Sequence, residues 1–294
     1  MSYYTRISKS FEGALCLPLR QNSRYVLFSD CHRGTGRAND NFLNNEYLFL
    51  AALKYYYPKG FTYLELGDGD ELWENRSFEH IKEMHHESFE MMAKYYQKGR
   101  LYAIYGNHDM VKKSARFSNK YCHSYYCDNT MCDLPLFPGI TYYPGVILQD
   151  AHQKKDIYLT HGHQADFLNS TLWRLSRFLV RYIWRPMENL GIPDPTSAAK
   201  NNTKKKKSEK LLTFWAKQNN HILITGHTHH PMIGNRNSPY CNTGSCVSAA
   251  GLTCIEIESR CITLVKWTLG TKQNQALYVI REPLGETVCI DDYQ

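Results

Sequence analysis

No window of eighteen uninterrupted apolar residues occurs in this 294-residue chain, so no segment has the length and apolarity of a membrane-spanning helix. Residues 1–18 carry no long apolar stretch behind basic residues, which argues against an export signal. Internal repeats and long low-complexity tracts are lacking, and no linker-like break interrupts the run of strand and helix signals. A single domain over residues 1–294 is therefore expected, and at this length it can bury a sizeable core.

What is present is the balance of a soluble globular protein: 35 Lys plus Arg against 28 Asp plus Glu, a formal charge of +7, and 43% hydrophobic residues. The ten cysteines are scattered rather than spaced as a disulfide framework. Reduced thiols in a cytoplasmic compartment are the simpler expectation. Cys122, Cys127 and Cys132, with His123 beside the first, are candidates for a structural zinc, but their spacings are looser than those of a zinc ribbon.

The most informative pattern is a series of five polar clusters. They contain Asp30 and His32, then Gly67 and Asp68, then Gly106 to Asp109, then His161 and His163, then Gly226, His227 and His229. Each follows a short apolar run that reads as a buried strand, at 25–29, 61–66, 101–105, 157–160 and 222–225. With 13 His and 28 Asp plus Glu, some strands would end in such residues by accident. Five clusters at the same end of five strands, three of them opened by Gly, are not what accident produces. In an open α/β sheet the carboxyl ends of the strands border the functional crevice, so these side chains are expected to converge.

Helices are expected over 40–57, stopped by Pro58 and Gly60, and over 77–98, stopped by Gly99. His80, His85 and His86 lie in the second and read as ordinary helix histidines, since none follows a strand. Beyond the last cluster the chain turns to strands at 240–243, 252–258, 261–269 and 277–281. The segment 164–210 stands apart as a helical insertion. Along 172–185, Arg174, Arg177, Arg181 and Arg185 share one helical face and Leu172, Leu175, Leu179 and Ile183 the opposite one, with Trp173 and Trp184 at the boundary. Pro186 should end this helix, 191–195 should form a loop, and Lys204 to Lys207 open a second basic segment. Either the helix lies on an anionic membrane surface or covers a phosphate-bearing amphiphile, or its leucine face packs on the core with the arginines solvated.

Hydrolysis of a phosphate ester needs a nucleophile at neutral pH and compensation for charge developing on the phosphoryl oxygens. Two divalent ions meet both needs. Mixed oxygen and imidazole ligands suit Mn first, with Fe, Zn or Ni as alternatives, rather than calcium. Asp68 can bridge two ions, and neutral Asn107 adds an oxygen without a charge that repels substrate.

Taken in order, the clusters resemble the calcineurin-like metallophosphoesterase pattern D-x-H, G-D-x-x-D/E, G-N-H-D/E, H and G-H-x-H, from Asp30 to His229 and on into Asn242 to Ser245. The resemblance implies a four-layer α/β sandwich of two mixed β-sheets flanked by helices. It implies that Asp30, His32 and His229 hold one metal, that Asn107, His161 and His227 hold the other, and that Asp68 bridges them. It makes His108 the group that protonates the leaving oxygen or stabilises the transition state, and Glu71 the carboxylate that orients it, with Asp70 as a neighbouring competitor. Arg33 and His163 are candidates to contact either the metal ligands from outside or the substrate phosphate. The run from Gly67 to Trp73 and the insertion resemble the UDP-2,3-diacylglucosamine pyrophosphatase branch, which carries Arg where this chain has His108. Glu71, Leu72 and Asp109 depart from the protein Ser/Thr phosphatase branch.

The expected activity is therefore metal-dependent cleavage of a phosphodiester or pyrophosphate in a lipid-linked or nucleotide-like substrate, with peripheral contact at the inner membrane surface through 172–185. The alternative is a nuclease. Oligomeric state leaves no trace in the sequence.

Overall fold

The computed structural model describes residues 1–37, 40–127, 130–184, 187 and 201–293. Its strands, in chain order, are β1 (Leu15–Leu19), β2 (Arg24–Phe28), β3 (Thr62–Leu66), β4 (Leu101–Ile104), β5 (Ser124–Cys127), β6 (Cys132–Pro135), β7 (Tyr142–Tyr143), β8 (Gly145–Asp150), β9 (Ile157–Thr160), β10 (Ile222–Thr225), β11 (Tyr240–Asn242), β12 (Leu252–Glu258), β13 (Cys261–Thr271), β14 (Leu277–Pro283) and β15 (Val288–Cys289). The helices are α1 (Tyr3–Lys9), α2 (Glu46–Tyr56), α3 (Phe78–Met84), α4 (His86–Gln97), α5 (Ala115–Tyr121), α6 (Phe167–Ser170), α7 (Trp173–Leu179) and α8 (Asn202–Gln218).

Two mixed sheets result. The larger runs β14-β13-β12-β2-β3-β4-β7, with β15 beside β13, and the smaller runs β1-β8-β9-β10-β11. Within the larger, β2, β3, β4 and β7 are parallel while β12 turns antiparallel against β2. In the smaller, β9, β10 and β11 are parallel. Parallel pairing in register, with Leu27 beside Leu64 and Glu65 beside Ala103, brings the carboxyl ends of β2, β3 and β4 side by side.

The alternation of side chains along each strand distributes the burial. Tyr25, Leu27, Leu64, Leu66 and Ile255 point inward to meet Leu17, Leu148, Leu159 and Ile224 of the smaller sheet. Val26, Phe28 and Tyr63 point outward and pack under Phe49, Tyr56, Phe89 and Tyr95 of α2 and α4. On the far side, Ile7 of α1 and Leu212 and Trp215 of α8 cover Leu223 and Tyr240. Helix, sheet, sheet and helix make the four layers expected, and strands covered on both faces explain why their sequences read as continuous apolar runs.

Several local expectations are corrected. The helix anticipated over 77–98 breaks at His85, where φ is −109° and ψ 34°. Both imidazole nitrogens there are engaged, by Glu46 and Asp40 at 2.9 Å each, and the chain gives up helical geometry to place them. The helix anticipated from 40 becomes regular only at Glu46, because the Asp40 carboxylate accepts from Gly36 and Leu43 as well as from His85. Strands β1 and β8, the β5–β6 hairpin and helix α1 were not foreseen.

The cysteine reading changes too: Cys261 and Cys289 form a disulfide, because β13 and β15 pair antiparallel with these residues directly opposite. Cys122, Cys127 and Cys132 do not gather as ligands. Cys122 Sγ meets the Tyr142 hydroxyl at 3.6 Å, and among the described residues no group of three metal donors includes any of the three.

Of the insertion's two expected arrangements, the one with its leucine face packed on the core is not found. Leu175 is 50% and Phe178 54% exposed, and Leu172, Tyr182 and Ile183 are exposed as well. Arg181 instead points inward and donates to backbone carbonyls. Three carbonyls facing one point need a multivalent donor, and a guanidinium supplies it. Regular helix ends at Leu179, followed by a π-helical turn over Val180–Trp184. Arg185, Pro186 and the loop at 191–195 lie outside the described residues. Among the described residues no helix is long and apolar enough to cross a membrane.

Candidate metal centre

The loop after β2 continues the sheet ladder onto the loop after β3. Backbone N–H groups of Asp30, His32 and Arg33 donate to the carbonyls of Gly67, Asp68 and Gly69 at 3.1, 2.9 and 3.0 Å. Two glycines let further loops close in. A Cβ on Gly106 would lie 2.1 Å from Asp68 Oδ1, and one on Gly226 would lie 2.3 Å from Asp30 Oδ2. Asp30, His32, Asp68, His227 and His229 all have φ between 49° and 68°. Left-handed backbone at non-glycine residues costs on the order of 1 kcal/mol or more each and persists only where the surroundings over-determine it. Its concentration in these five residues marks a functional site.

Among the described residues three donor groups result, one of them His32, Glu71 and His108 and the other two built around Asp30 and Asp68. Asp30, His32 and His229 offer ligand atoms within 4.8 Å of one another, and so do Asp68, His161 and His227. His229 Nε2 lies 3.1 Å from Asp30 Oδ1, and His161 Nε2 lies 3.1 Å from Asp68 Oδ2. Asn107 Oδ1 is 3.2 Å from the same His161 nitrogen, so it joins the second group. His32 Nε2 stands 3.8 Å from both Asp30 Oδ1 and Asp68 Oδ2, which places Asp68 between the groups. Asp30 Oδ1, His32 Nε2 and His227 Nε2 are buried and have no hydrogen-bond partner. Buried polar atoms are rarely left unpaired, and divalent cations, one at the Asp30 group and one at the Asp68 group, would supply the missing partners.

The outer atoms of these ligands are fixed in the way metal ligands are. His161 Nδ1 donates to the Leu66 carbonyl at 2.8 Å, and His32 Nδ1 meets Glu71 Oε2 at 2.8 Å, which leaves each Nε2 facing the centre. Asp30 Oδ2 accepts from Ser29 Oγ and from the His227 N–H, and Asp68 Oδ1 accepts from the His108 N–H at 2.8 Å. Ser29 carried no signal in the sequence.

Charge in the centre follows from burial and proximity. Burial alone would raise the Asp68 carboxyl, but the His161 and His108 rings hold it well below the usual carboxylate range. Burial alone would lower His161, yet Asp68 and Asp30 carry it up to about 9. Burial and then His161 push His227 down to about 3. A cation bound by Asp68, His161 and His227 would take the place of the His161 proton.

His108 stands beside the groups around Asp30 and Asp68. Its Nδ1 lies 2.9 Å from Glu71 Oε1, and its ring stacks on Trp73 with centroids 4.3 Å apart at 23°. Burial lowers the His108 pKa, but Glu71 and Asp68 more than offset it. Glu71 therefore reaches two imidazoles, His32 and His108, where the sequence suggested only the second. Asp70 does not compete, because it is bound to Arg33 at 2.7 Å and Lys112 at 2.5 Å.

For Arg33 the phosphate reading is corrected: its guanidinium is fully buried between Asp70 and Glu65, at 2.7 and 2.8 Å. Two buried carboxylates need a buried cation, and breaking such a pair is costly. Lys112 and Asp109 complete this network under the site, and Asp109 also accepts from the Gly106 and Gly69 N–H groups. His163 is buried, with its ring 5.5 Å from that of His161, and its Nδ1 has no partner. Burial, then His161 and His227, keep its pKa well below the ordinary value.

Known proteins can be set beside this geometry. Among curated proteins none matches the chain. Among solved structures it is similar to Vps29 of Chaetomium thermophilum, at 11% identity over 92% of this chain and 98% of that one, with a TM-score of 0.42. It is also similar to a mutant cold-active protein tyrosine phosphatase, at 13% identity over 92% and 82% of the two chains, with a TM-score of 0.39. The sequence over residues 23–231 matches the family described as calcineurin-like phosphoesterase, a hydrolase family whose members carry out metal-dependent phosphoester hydrolysis. The chain belongs to the calcineurin-like phosphoesterase family.

Proposed function

We propose that the protein is a dinuclear metal phosphoesterase that hydrolyses a phosphodiester or pyrophosphate bond in an amphiphilic or nucleotide-like substrate. The observation that carries this reading is the pair of donor groups on either side of Asp68, with buried ligand atoms that lack partners and His108 alongside. Asp30, His32 and His229 would hold one ion and Asn107, His161 and His227 the other, with Asp68 shared. Mn suits this donor set best, followed by Fe, Zn or Ni. When bound, such ions lower the pKa of water to near neutrality and compensate charge on the phosphoryl oxygens.

The chain's own residues do the rest. Glu71 holds the Nδ1 proton of His108 and so leaves Nε2 to donate to the departing oxygen. Trp73, stacked on the ring, limits its rotation. Asn107, being neutral, adds an oxygen to the second group without repelling an anionic substrate.

Purified protein with Mn should cleave an aryl phosphodiester. Asp68→Ala and His108→Ala should each lose about 10²-fold or more, and unchanged turnover in both would eliminate the reading. A single-stranded oligonucleotide assayed in parallel separates out the nuclease alternative.

The insertion supports a second element of the reading, peripheral contact at the inner face of a membrane. Leu175 and Phe178 are exposed on a short helix that also carries Arg174 and Arg177, and Ile183 is exposed on the turn after it, a composition suited to an anionic interface. Phe178→Asp should lose sedimentation with anionic liposomes while retaining turnover of a small soluble ester; retained sedimentation would remove the membrane role.

A further inference from the structure

The turn at residues 71–75 supports His108 from two sides. Glu71 holds the imidazole Nδ1, and Trp73 stacks on the ring. Inside the turn, Glu71 Oε1 accepts from the N–H groups of Trp73 and Glu74 at 3.2 and 3.3 Å, and the Asn75 amide donates to the Glu71 carbonyl at 2.9 Å. These bonds engage the backbone N–H groups of Trp73 and Glu74 and the Asn75 side-chain amide. The turn's outward carbonyls converge on one side chain from another part of the chain: Arg181 Nε donates to Trp73 O at 2.6 Å, and Nη2 to Leu72 O at 2.8 Å and Asn75 O at 3.2 Å.

We propose that Arg181 is a positioning residue for the proton donor: through one guanidinium, the helical insertion clamps the turn that aims His108. This rests on the assignment of His108 as that donor. Arg181's hydrogen bonds end on backbone oxygens of the turn, so it acts through the turn and not on substrate. Charge-assisted bonds to three carbonyls are strong, and removing their donor leaves three oxygen dipoles facing one another. The neighbouring pair repeats the link: Arg76 donates to the Tyr182 hydroxyl at 2.8 Å. At the start of α7, Trp173 is partly buried against the core cluster of the larger sheet, which gives the clamp a base. The insertion is therefore part of the support of the reacting groups.

Misplacing a proton donor slows poor leaving groups most, because a good leaving group departs with little protonation. The full-length protein with Mn is assayed on substituted phenyl phosphodiesters running from p-nitrophenol to unsubstituted phenol. Arg181→Ala should lower kcat about 10²-fold on the phenol ester and far less on the p-nitrophenyl ester, with KM little changed. Arg181→Lys, which keeps a charged donor but loses the fork, should fall between. An equal loss on every ester, or no loss, would overturn the clamp. His108→Ala on the same series is the reference. If it too shows the wild-type leaving-group dependence, the His108 assignment fails; if it steepens the dependence and Arg181→Ala does not, only the clamp fails. Should Arg181→Ala not fold, Arg181→Lys and Arg181→Gln carry the same comparison.

Discussion

Gly106→Ala isolates the close approach on which the site depends. Gly106 lies outside the left-handed region, so alanine adopts its backbone without strain, and only the added methyl matters. That methyl would sit 2.1 Å from Asp68 Oδ1, 2.5 Å from the Asp68 nitrogen and 2.7 Å from its Cγ. To reach an ordinary contact of 3.4 Å the carboxylate must retreat by about 1.3 Å. Asp68 cannot retreat freely, since its Oδ1 also accepts from the His108 N–H at 2.8 Å and its carbonyl from His32. A displacement of about 1 Å in a catalytic constellation costs on the order of 10²-fold in rate, which corresponds to about 2.7 kcal/mol of barrier. Overpacking should also remove about 1–3 kcal/mol of stability. Turnover of an aryl phosphodiester with Mn and a thermal melt measure the two effects separately. The control is Gly60→Ala, at φ +79° with nothing within 4 Å of the new methyl, which should cost about 1 kcal/mol of stability and no activity. Wild-type kcat in Gly106→Ala would refute the packing argument.

Three further perturbations test the rest of the molecule. Burial lowers the pKa of His85, but Asp40 and Glu46 carry it up to about 9. Its folded value lies above the unfolded one, so its contribution, at most about 3 kcal/mol, is full below about pH 6.5 and lost as pH rises through 9. Urea midpoints at pH 7 and pH 10 should show this fall in the wild type and a smaller one in His85→Gln; equal falls would contradict it. Cys261→Ser opens a loop of sequence separation 28 and should cost about 3–4 kcal/mol in thermal or urea unfolding. Turnover should hold, because Cys261 lies beside Glu258, which pairs with Arg24 at the end of β2 opposite the site; a variant that unfolds normally but turns over slowly would refute that separation. Leu175→Asp should change solution stability by no more than about 0.5 kcal/mol because the side chain faces water, and a urea-melt loss of 2 kcal/mol or more would mean that it packs on the core.

The strands that carry the site were legible because they are covered on both faces. The runs ending at Thr160 and Thr225 coincide with β9 and β10 to the residue, and those before Asp30, Asp68 and Asn107 fall within a residue of β2, β3 and β4. Each ligand cluster could be read because its residue types are costly to bury for any reason but chemistry. Helix α1, strands β1 and β8 and the β5–β6 hairpin were not legible, since they are short elements whose place is set by the sheet or helix they pack against.

By itself, then, the order of residues determined which side chains could serve chemistry and at which end of which strands they would stand, because local periodicity and residue chemistry suffice for that. Three matters were decided only by tertiary structure. Arg33 became a buried counter-ion instead of a phosphate contact, Glu71 came to support two imidazoles, and the insertion turned its leucines outward with Arg181 beneath. Each depends on what lies across a gap of tens of residues: Glu65 and Asp70 for Arg33, His32 for Glu71, and the converging carbonyls of residues 72–75 for Arg181. A charged side chain goes where its partners are, and no local pattern records where the fold will bring them.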